Sequence, residues 1–470
     1  VDEIQWVQTA YLIAEIVAIP LSGFLAPMLS TRVFYTIACL GFTFASLACA
    51  FAWNLSSMVV FRALQGFLGG GLIPSSFAAM FLLFPDEKAR RLPQMLGGMA
   101  TTLAPAIGPT FGGYLTQVLS WHWLFMINLV PGIVCAMIVW STLHVDRARP
   151  ELLKNLDVWS VVLMALFLGC MEYALDDGPR HEWLDDPSVA AAALVAMVSG
   201  VLFFWRSFTV SGSVVDLRVF RNRNFALTSF VSAMMGVSMF TLIYITPVFL
   251  GEVRGFNSQQ IGDVMMVQGV ALLASAPLAA WLAAGLDPRV AITIGLVLNA
   301  WGSYLNAGLT ADWGFADFVW PQLLRGSGLM LSFLPMLNLA LGMLPPEDVN
   351  NGSSLFTVSR NIGGALGLAA VTTLINHRNW AHWQSLAEVT ALSRPTVRDA
   401  LGSMQQALTP ELGSNGPLGA VALLFQEAQR QTLAMTFGDM YYILAWCSAV
   451  PILVVPLMRK PAQAVNVMGH

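Results

Sequence analysis

Ala104–Gly113 reads APAIGPTFGG and lies inside an apolar segment from about Pro93 to Leu119, long enough to cross a bilayer. In hydrocarbon, Gly and Pro are tolerated where neighbouring protein re-satisfies the freed backbone groups. The segment is therefore expected to be a bent helix packed closely on other helices. Such packing suggests bundles that move against each other.

The rest of the chain agrees with a membrane setting. Its 470 residues are 56% hydrophobic and 11% charged, with a mean hydropathy of +0.67, whereas soluble domains carry about 25% charged residues. This composition describes a polytopic all-α membrane protein. The formal net charge of −4 says little about partners, because the position of the charges matters more than their sum. No charged run points to nucleic acid. The five cysteines (Cys39, Cys49, Cys135, Cys170 and Cys447) fall in apolar runs without paired or metal-ligand spacing, so they read as packing residues. No Gly-Lys-Ser/Thr phosphate loop is present to bind ATP, and the six histidines form no metal pattern. Nor does a nucleophile elbow or Ser-His-acid order suggest an enzyme. Any work must draw on an ion gradient, with no cofactor.

About thirteen apolar runs are long enough to span. They lie near 6–29, 33–53, 58–84, 93–119, 123–144, 157–176, 188–208, 225–250, 259–285, 290–310, 316–344, 355–376 and 435–458. When these alternate across the bilayer, one side collects about 14 basic residues against about 6, and that side is cytoplasmic. Val1 then lies outside, with no signal-peptide pattern to carry it there. One leading helix is expected before Val1, for a total of about fourteen with both ends cytoplasmic. The division expected is an N-terminal bundle over 1–150, a two-helix insertion over 151–212, a C-terminal bundle over 213–460 and a cytoplasmic tail over 461–470. A single long external loop, 377–434, interrupts the second bundle as either a functional surface or a flexible insertion.

The halves look duplicated. LAPMLSTRV (Leu25–Val33) and LAAGLDPRV (Leu282–Val290) share L-A-x-x-L-x-x-R-V, and LQGFLGGGLIP (Leu64–Pro74) loosely echoes LRGSGLMLSFLP (Leu324–Pro335). Two matches in one order at a similar offset favour repeated bundles with a binding site at their interface.

These residues resemble the major facilitator superfamily, and within it the fourteen-helix drug:proton antiporters of the EmrB/QacA type. APAIGPTFGG is similar to the family's antiporter motif, through Ala104, Pro105, Gly108, Pro109, Gly112 and Gly113, although Ala104 and Met95 stand where Gly is usual. RALQGFLGGG is similar to the fourth-helix motif, through Arg62, Gln65, Gly66, Gly69 and Gly70. WHWLFMINLVPG, VVDLRVFRNRNF, WPQLLRG and LPPEDVNNGSSL resemble segments of the EmrB branch. The gating-loop motif keeps Gly23 and Arg32, with Pro27 in place of its Asp, and Asp287 and Arg289 occupy the second copy. The resemblance implies two six-helix bundles with two extra helices, alternating access in a bacterial inner membrane, and lipophilic substrates exchanged for protons. It also implies a periplasmic membrane-fusion adaptor and an outer-membrane channel as partners, the natural contact being 377–434.

A charge at the bilayer centre costs about 2.5–3.5 kcal/mol on insertion scales, so each such residue needs a reason. Glu15 lies roughly 12 Å into its span and shares a face with Gln8, Tyr11 and Ser22. That face is expected to line a cavity, with Glu15 either handling a proton or cation or held in an ion pair. Arg62 lies shallower; it snorkels outward or, as the family resemblance implies, biases the protonation of a nearby carboxylate such as Glu15. Arg325, mid-span, is preferred over Arg360 near a cytoplasmic end, and Asp439 matches an acidic position of the EmrB branch. Glu172, Asp176 and Asp263 sit at external ends, where charges are cheap. Asn299, Ser303 and Asn306 form a stripe suited either to helix–helix hydrogen bonds or to substrate. Met239 and Tyr244 join Gln8, Tyr11 and Asn299 as candidate cavity residues. The leading expectation is a multidrug exporter. A dedicated exporter of one metabolite, such as a fatty acid or siderophore, and a non-transporting sensor or structural protein are the alternatives.

Overall fold

The computed structural model describes residues 2–210, 213–389, 394–412 and 415–459; the tail 461–470 lies outside them. Among the described residues the chain is helical with no strand. Its helices are α1 (Asp2–Leu29), α2 (Thr31–Ala50), α3 (Leu55–Gly69), α4 (Leu72–Leu83), α5 (Glu87–Val118), α6 (Trp123–Met126), α7 (Leu129–Thr142) and α8 (Val158–Asp177). There follow α9 (Pro187–Thr209), α10 (Arg223–Glu252), α11 (Ser258–Gly285), α12 (Pro288–Asn306), α13 (Phe315–Leu341), α14 (Val349–Val389), α15 (Pro395–Leu412) and α16 (Gly416–Ala449).

Local chemistry sets the ends. Ser30 alone separates α1 from α2, at a φ of 76°. Asn54 with Ser57, and Asn257 with Gln260, form capping boxes that satisfy the first free amides of α3 and α11. Asp186 and Asp287 cap α9 and α12, each followed by a proline that needs no amide partner. At Gly69–Gly70–Gly71 the third span breaks into α3 and α4, because a glycine run holds helical geometry weakly.

Among the described residues, eleven stretches are long and apolar enough to cross a membrane. Two further helices, α5 and α12, occupy spans expected from the sequence but have lower mean hydropathy. Basic residues and Pro dilute α5, and Arg289, Asn299 and Asn306 dilute α12. With them the crossings follow the order read from the sequence.

The element most enclosed by protein is α13: 78% of its apolar window is buried, against 6% for Trp123–Thr142. Glycines allow this approach. A Cβ on Gly295 would lie 2.6 Å from the Gly328 carbonyl oxygen, and one on Gly302 would lie 2.8 Å from Arg325 Cγ. Backbones of α12 and α13 therefore nearly touch.

Helices α8 and α9 pack on each other through Phe167 and Phe204, with ring centroids 5.7 Å apart. Their cytoplasmic ends are tied by Arg206, whose Nε and Nη2 donate to Asp157 at 2.6 and 2.8 Å. The guanidinium holds the Asp157 carboxyl at about 2, well below the usual carboxylate range. On its other side α8 lies against α1 and α14.

The stretch 377–434 departs from the expectation of a loop. Helix α14 continues unbroken to Val389, α15 returns, and α16 begins at Gly416. The 41 residues of α14 span about 60 Å at 1.5 Å per residue, twice the hydrocarbon thickness. Trp383 meets Phe425 at 4.9 Å, and Arg430 donates to the Ala311 and Val253 carbonyls at 2.6 and 3.0 Å. These contacts make 377–434 largely a helical extension. Its stretches RPTVRDALGSMQQALTP and LLFQEAQRQTLA already read as helical in the sequence; the unbroken continuation of α14 past its apolar run did not.

Candidate functional site

Glycine sets the seam between α1 and α3. Arg62, Gly66 and Gly70 on α3 stand beside Val7, Tyr11 and Glu15 on α1, at a constant offset of 55 residues. Arg62 Nε donates to the Val7 carbonyl at 3.2 Å. A Cβ on Gly66 would lie 3.0 Å from the Tyr11 carbonyl carbon, and one on Gly70 would lie 2.7 Å from the Glu15 carbonyl oxygen. The constant offset makes the two helices parallel neighbours. Gly69 faces the other way, towards Phe42.

Arg62 is held by neutral groups. Its Nη1 donates to Gln65 Oε1 at 2.7 Å, and the guanidinium lies 4.1 Å from the Tyr11 ring centroid. Gln65 passes the network on, donating to Ser46 Oγ at 2.8 Å. Glu15, half-buried on the same seam, has no ion pair with Arg62 among the described residues. Its helix packs on α14, which carries Arg360. Arg360 is 7% exposed and stacks 5.7 Å from the Phe333 ring centroid. Sequence position put Arg360 near a cytoplasmic end; in the fold it is buried against Phe333 of α13. Its signal was SRNIGGALG (Ser359–Gly367), since Gly363 and Gly367 let α14 press on the α10 backbone at Ala233 and Val237.

The second half repeats the first with an exchange. Gly326 of α13 presses on the Gln268 backbone of α11, with a Cβ position 2.9 Å from Ala271 Cβ, as Gly66 presses on Tyr11. RALQG (Arg62–Gly66) faces QLLRG (Gln322–Gly326) in the alignment, and Arg325 Nη2 donates to Gln322 Oε1 at 2.5 Å. The same Arg–Gln contact thus occurs with its ends swapped. Arg325 is fully enclosed, 5.8 Å from the Tyr441 ring centroid, and no carboxylate pairs with it among the described residues. Asp439 instead bonds to His382 at 2.9 Å and lies 3.6 Å from Arg378.

Asn299 is also enclosed; its Nδ2 donates to Ser238 and Ser448 at 3.0 Å each, joining α12 to α10 and α16. Met239 is half-buried on α10. At the gating loops, a Cβ on Gly23 would lie 2.6 Å from Ser354 Oγ of α14. Arg32 approaches His144 Nε2 at 2.7 Å, whereas Arg289 pairs with Asp287 at 2.8 Å and donates to the Met458 carbonyl at 3.2 Å.

The APAIGPTFGG glycines divide. Gly113 packs on α11, with a Cβ position 3.1 Å from Ser258 Cβ, and Gly112 lies 3.6 Å from Leu124. Gly108 meets nothing within 4 Å and, like Ala104, is exposed. Among the described glycines of the motif, which the sequence led one to expect packed over much of its length, close contact is found at Gly112 and Gly113 and not at Gly108. Gly108 and Gly113 are five residues apart, about 140° around a helix, and cannot share one contact face. The side chains of Pro105 and Pro109 lie outside the described residues.

Gln8 and Tyr244 line a cavity of about 170 Å³ at the external end of α1, α8, α10 and α14. Glu172 and Asp176 of α8 also line it, which their place at a span end did not reveal. Asp176 accepts hydrogen bonds from Thr9 Oγ1 and, at 3.4 Å, from Gln5 Nε2. Glu172 is 7% exposed, and its Oε2 has no hydrogen-bond partner. Among the described residues no group of His, Cys, Asp and Glu is arranged to hold a metal ion.

The model of the Major Facilitator Superfamily matches residues 1–368. The colistin resistance protein EmrB of Acinetobacter baumannii is 43% identical over 94% of this chain and 86% of its own length. The fatty acid resistance protein FarB of Neisseria gonorrhoeae is 29% identical, and the multidrug export protein EmrB of Escherichia coli 28%, each over 85% of this chain and 79% of its own length. In fold, the human organic anion transporter MFSD10 aligns with a TM-score of 0.61 at 12% identity, covering 96% of this chain and 83% of that one.

Proposed function

As this chain belongs to the major facilitator superfamily, we propose that it exports lipophilic compounds across the inner membrane in exchange for protons, by alternating access. The observation that supports the reading is the position of Glu15 on α1, which packs on α14 of the second half, where Arg360 is 7% exposed and its Nε has no hydrogen-bond partner among the described residues. Ionised, Glu15 attracts Arg360 across the seam. Protonated from outside, it loses that attraction, and the two helices are freer to part. Arg62 keeps its contacts with Gln65, Val7 and Tyr11 in either state and acts as a weaker, fixed bias on the same carboxylate. Substrate release outward and proton release inward then alternate.

The division into two six-helix bundles and an insertion over 151–212 belongs to this reading. So does an adaptor contact on 377–434, supported by the length of α14 and the returning α15. Deleting the tip of this extension should abolish capture of a periplasmic adaptor while the protein still inserts; undiminished capture removes the contact. Names of relatives point to colistin, fatty acids and multiple drugs, so export of a single amphiphile class stands as a second reading. The test of coupling is substrate flux in proteoliposomes under an imposed proton gradient. Glu15→Gln should abolish gradient-driven flux while leaving downhill exchange, and wild-type flux in this variant would end the coupling assignment.

A further inference from the structure

The turn between α8 and α9 holds two consecutive residues in a backbone conformation that side chains disfavour. Glu182 and Trp183 have φ of 54° and 62°, in the left-handed region where a Cβ crowds the neighbouring carbonyl. Neither is glycine, so contacts elsewhere must hold the turn against its own strain. Those contacts converge on Trp183. Its amide donates to the Gly178 carbonyl at 2.9 Å, and its ring lies so near Gly178 that a Cβ there would stand 2.8 Å from Cε3. Its Nε1 donates to Thr373 Oγ1 of α14 at 3.0 Å. One turn further along α14, Asn376 Nδ2 donates to the Pro179 carbonyl at 3.3 Å. Two hydrogen bonds between neutral groups thus tie the turn to α14.

The helix that feeds this turn is tied to α1. Asp176, near the end of α8, accepts from Thr9 Oγ1 and, at 3.4 Å, from Gln5 Nε2. Just before it, Tyr173 stacks on Trp6 with ring centroids 5.5 Å apart. A turn lower, a Cβ on Gly169 would lie 3.3 Å from Ile13 Cγ2. Contacts on successive turns lay α8 along α1. The two attachments differ in strength. A hydrogen bond ending on a carboxylate is roughly twice as strong as one between neutral groups, and the α1 side adds ring stacking and helix packing. The α14 side has two neutral bonds and must also hold the strained backbone. Both attachments border the external cavity, whose wall includes Gln5, Asp176 and Pro179.

We propose that the α8–α9 turn is an external strap between α1 and α14, in which α8 stays fastened to α1 and the Trp183–Thr373 attachment to α14 is the one that releases. Release lets α14 draw away from α1 and α8 at the external face. It also lets Glu182 and Trp183 leave the left-handed region, so the strain favours opening while the two hydrogen bonds favour closure. Opposed terms of this kind make a two-state element. The proposal deepens the alternating-access reading and rests on it only for what the opening serves.

The experiment measures distances between spin labels by double electron–electron resonance on the full chain in nanodiscs, without any gradient, after replacing the five free cysteines by alanine. One pair joins α9 to α14 through Leu194→Cys and Trp380→Cys; the other joins α9 to α1 through Leu194→Cys and Ile4→Cys. All three residues are exposed. The first pair should show a short and a longer distance, and the second a single one. Trp183→Phe and Thr373→Val remove the donor and the acceptor separately. Each should raise the ratio of long to short distance roughly three- to tenfold, the worth of one neutral hydrogen bond. Glu182→Gly frees the left-handed conformation of strain and should lower that ratio, whereas Glu182→Ala should match wild type. None of the four should alter the second pair. One α9–α14 distance throughout, a ratio unchanged in both Trp183→Phe and Thr373→Val, or movement as large in the α9–α1 pair, overturns the proposal. Trp183→Phe and Thr373→Val lie on different helices, so either one keeps the test open where the other fails to fold. Distances that behave as stated in a protein without gradient-driven flux would leave the strap standing and remove antiport.

Discussion

Gly66 and Gly108 belong to the two glycine motifs most alike in the sequence, yet they predict opposite outcomes for the same substitution. In Gly66→Ala the new methyl would lie 3.0 Å from the Tyr11 carbonyl carbon and closer still to its oxygen. Ordinary van der Waals contact needs 3.4 Å or more, and the obstructing atoms are backbone. Helix α3 must therefore retreat from α1 by several tenths of an ångström. Overpacking of this kind costs about 1–3 kcal/mol. The retreat also stretches the Arg62-to-Val7 contact, already 3.2 Å, and a hydrogen bond to a charged group is worth about 1.5–3 kcal/mol. Gly108→Ala meets nothing within 4 Å and gains about 1 kcal/mol of helix propensity. Thermal unfolding of both purified variants, followed by size-exclusion fluorescence, should show a large fall for Gly66→Ala and none for Gly108→Ala. An unchanged midpoint in Gly66→Ala, or an equal fall in Gly108→Ala, would refute the seam as described.

Other consequences can be checked in the same preparations. Glu15→Gln and Arg360→Gln should each impair gradient-driven flux, and the double variant should be little worse than either; additive losses in a double-mutant cycle would show the two charges to be independent. Arg325→Met removes a sealed cation with no carboxylate partner among the described residues and leaves the buried Gln322 Oε1 without its donor, so it should destabilise by about 1–3 kcal/mol while preserving flux; loss of flux in protein that is still folded would place Arg325 in the coupling path. The Asp157 carboxyl is depressed to about 2 from 3.8, so its contact with Arg206 stabilises the folded state above pH 4, and that stability is lost as pH falls towards 2. Asp157→Asn should lower the midpoint at pH 7 and flatten the acid dependence of stability; an unaltered profile would remove the contact from the balance.

Both motifs with intramembrane glycine were visible in the sequence, but their partners were not. RALQGFLGGG could be recognised, and its 55-residue register with α1 appeared only when Gly66 and Gly70 were seen against Tyr11 and Glu15. The repeat at Leu25 and Leu282 already implied duplicated halves. That Arg62–Gln65 returns as Gln322–Arg325 was hidden, because a pair of side chains with exchanged ends keeps its geometry while changing its letters. Glu172 read as a cheap interfacial acid because depth along a helix says nothing about which neighbours cover its face. Burial against α1, α10 and α14 reverses that reading.

By itself the sequence determined the membrane setting, the order of the spans and the family. Those follow from transfer of each apolar run into hydrocarbon and from local breaks at Gly, Pro and capping residues, interactions that act within a few residues. Only the tertiary structure decided that Arg360 is buried against Phe333, that Arg325 is sealed, that Gly108 is open and that Glu172 and Asp176 of α8 line a cavity. Each of these depends on the rotation of a helix about its axis and on what a neighbour hundreds of residues away presents. Coulomb forces and steric contact act through space, and hydropathy along one strand of chain carries no record of them.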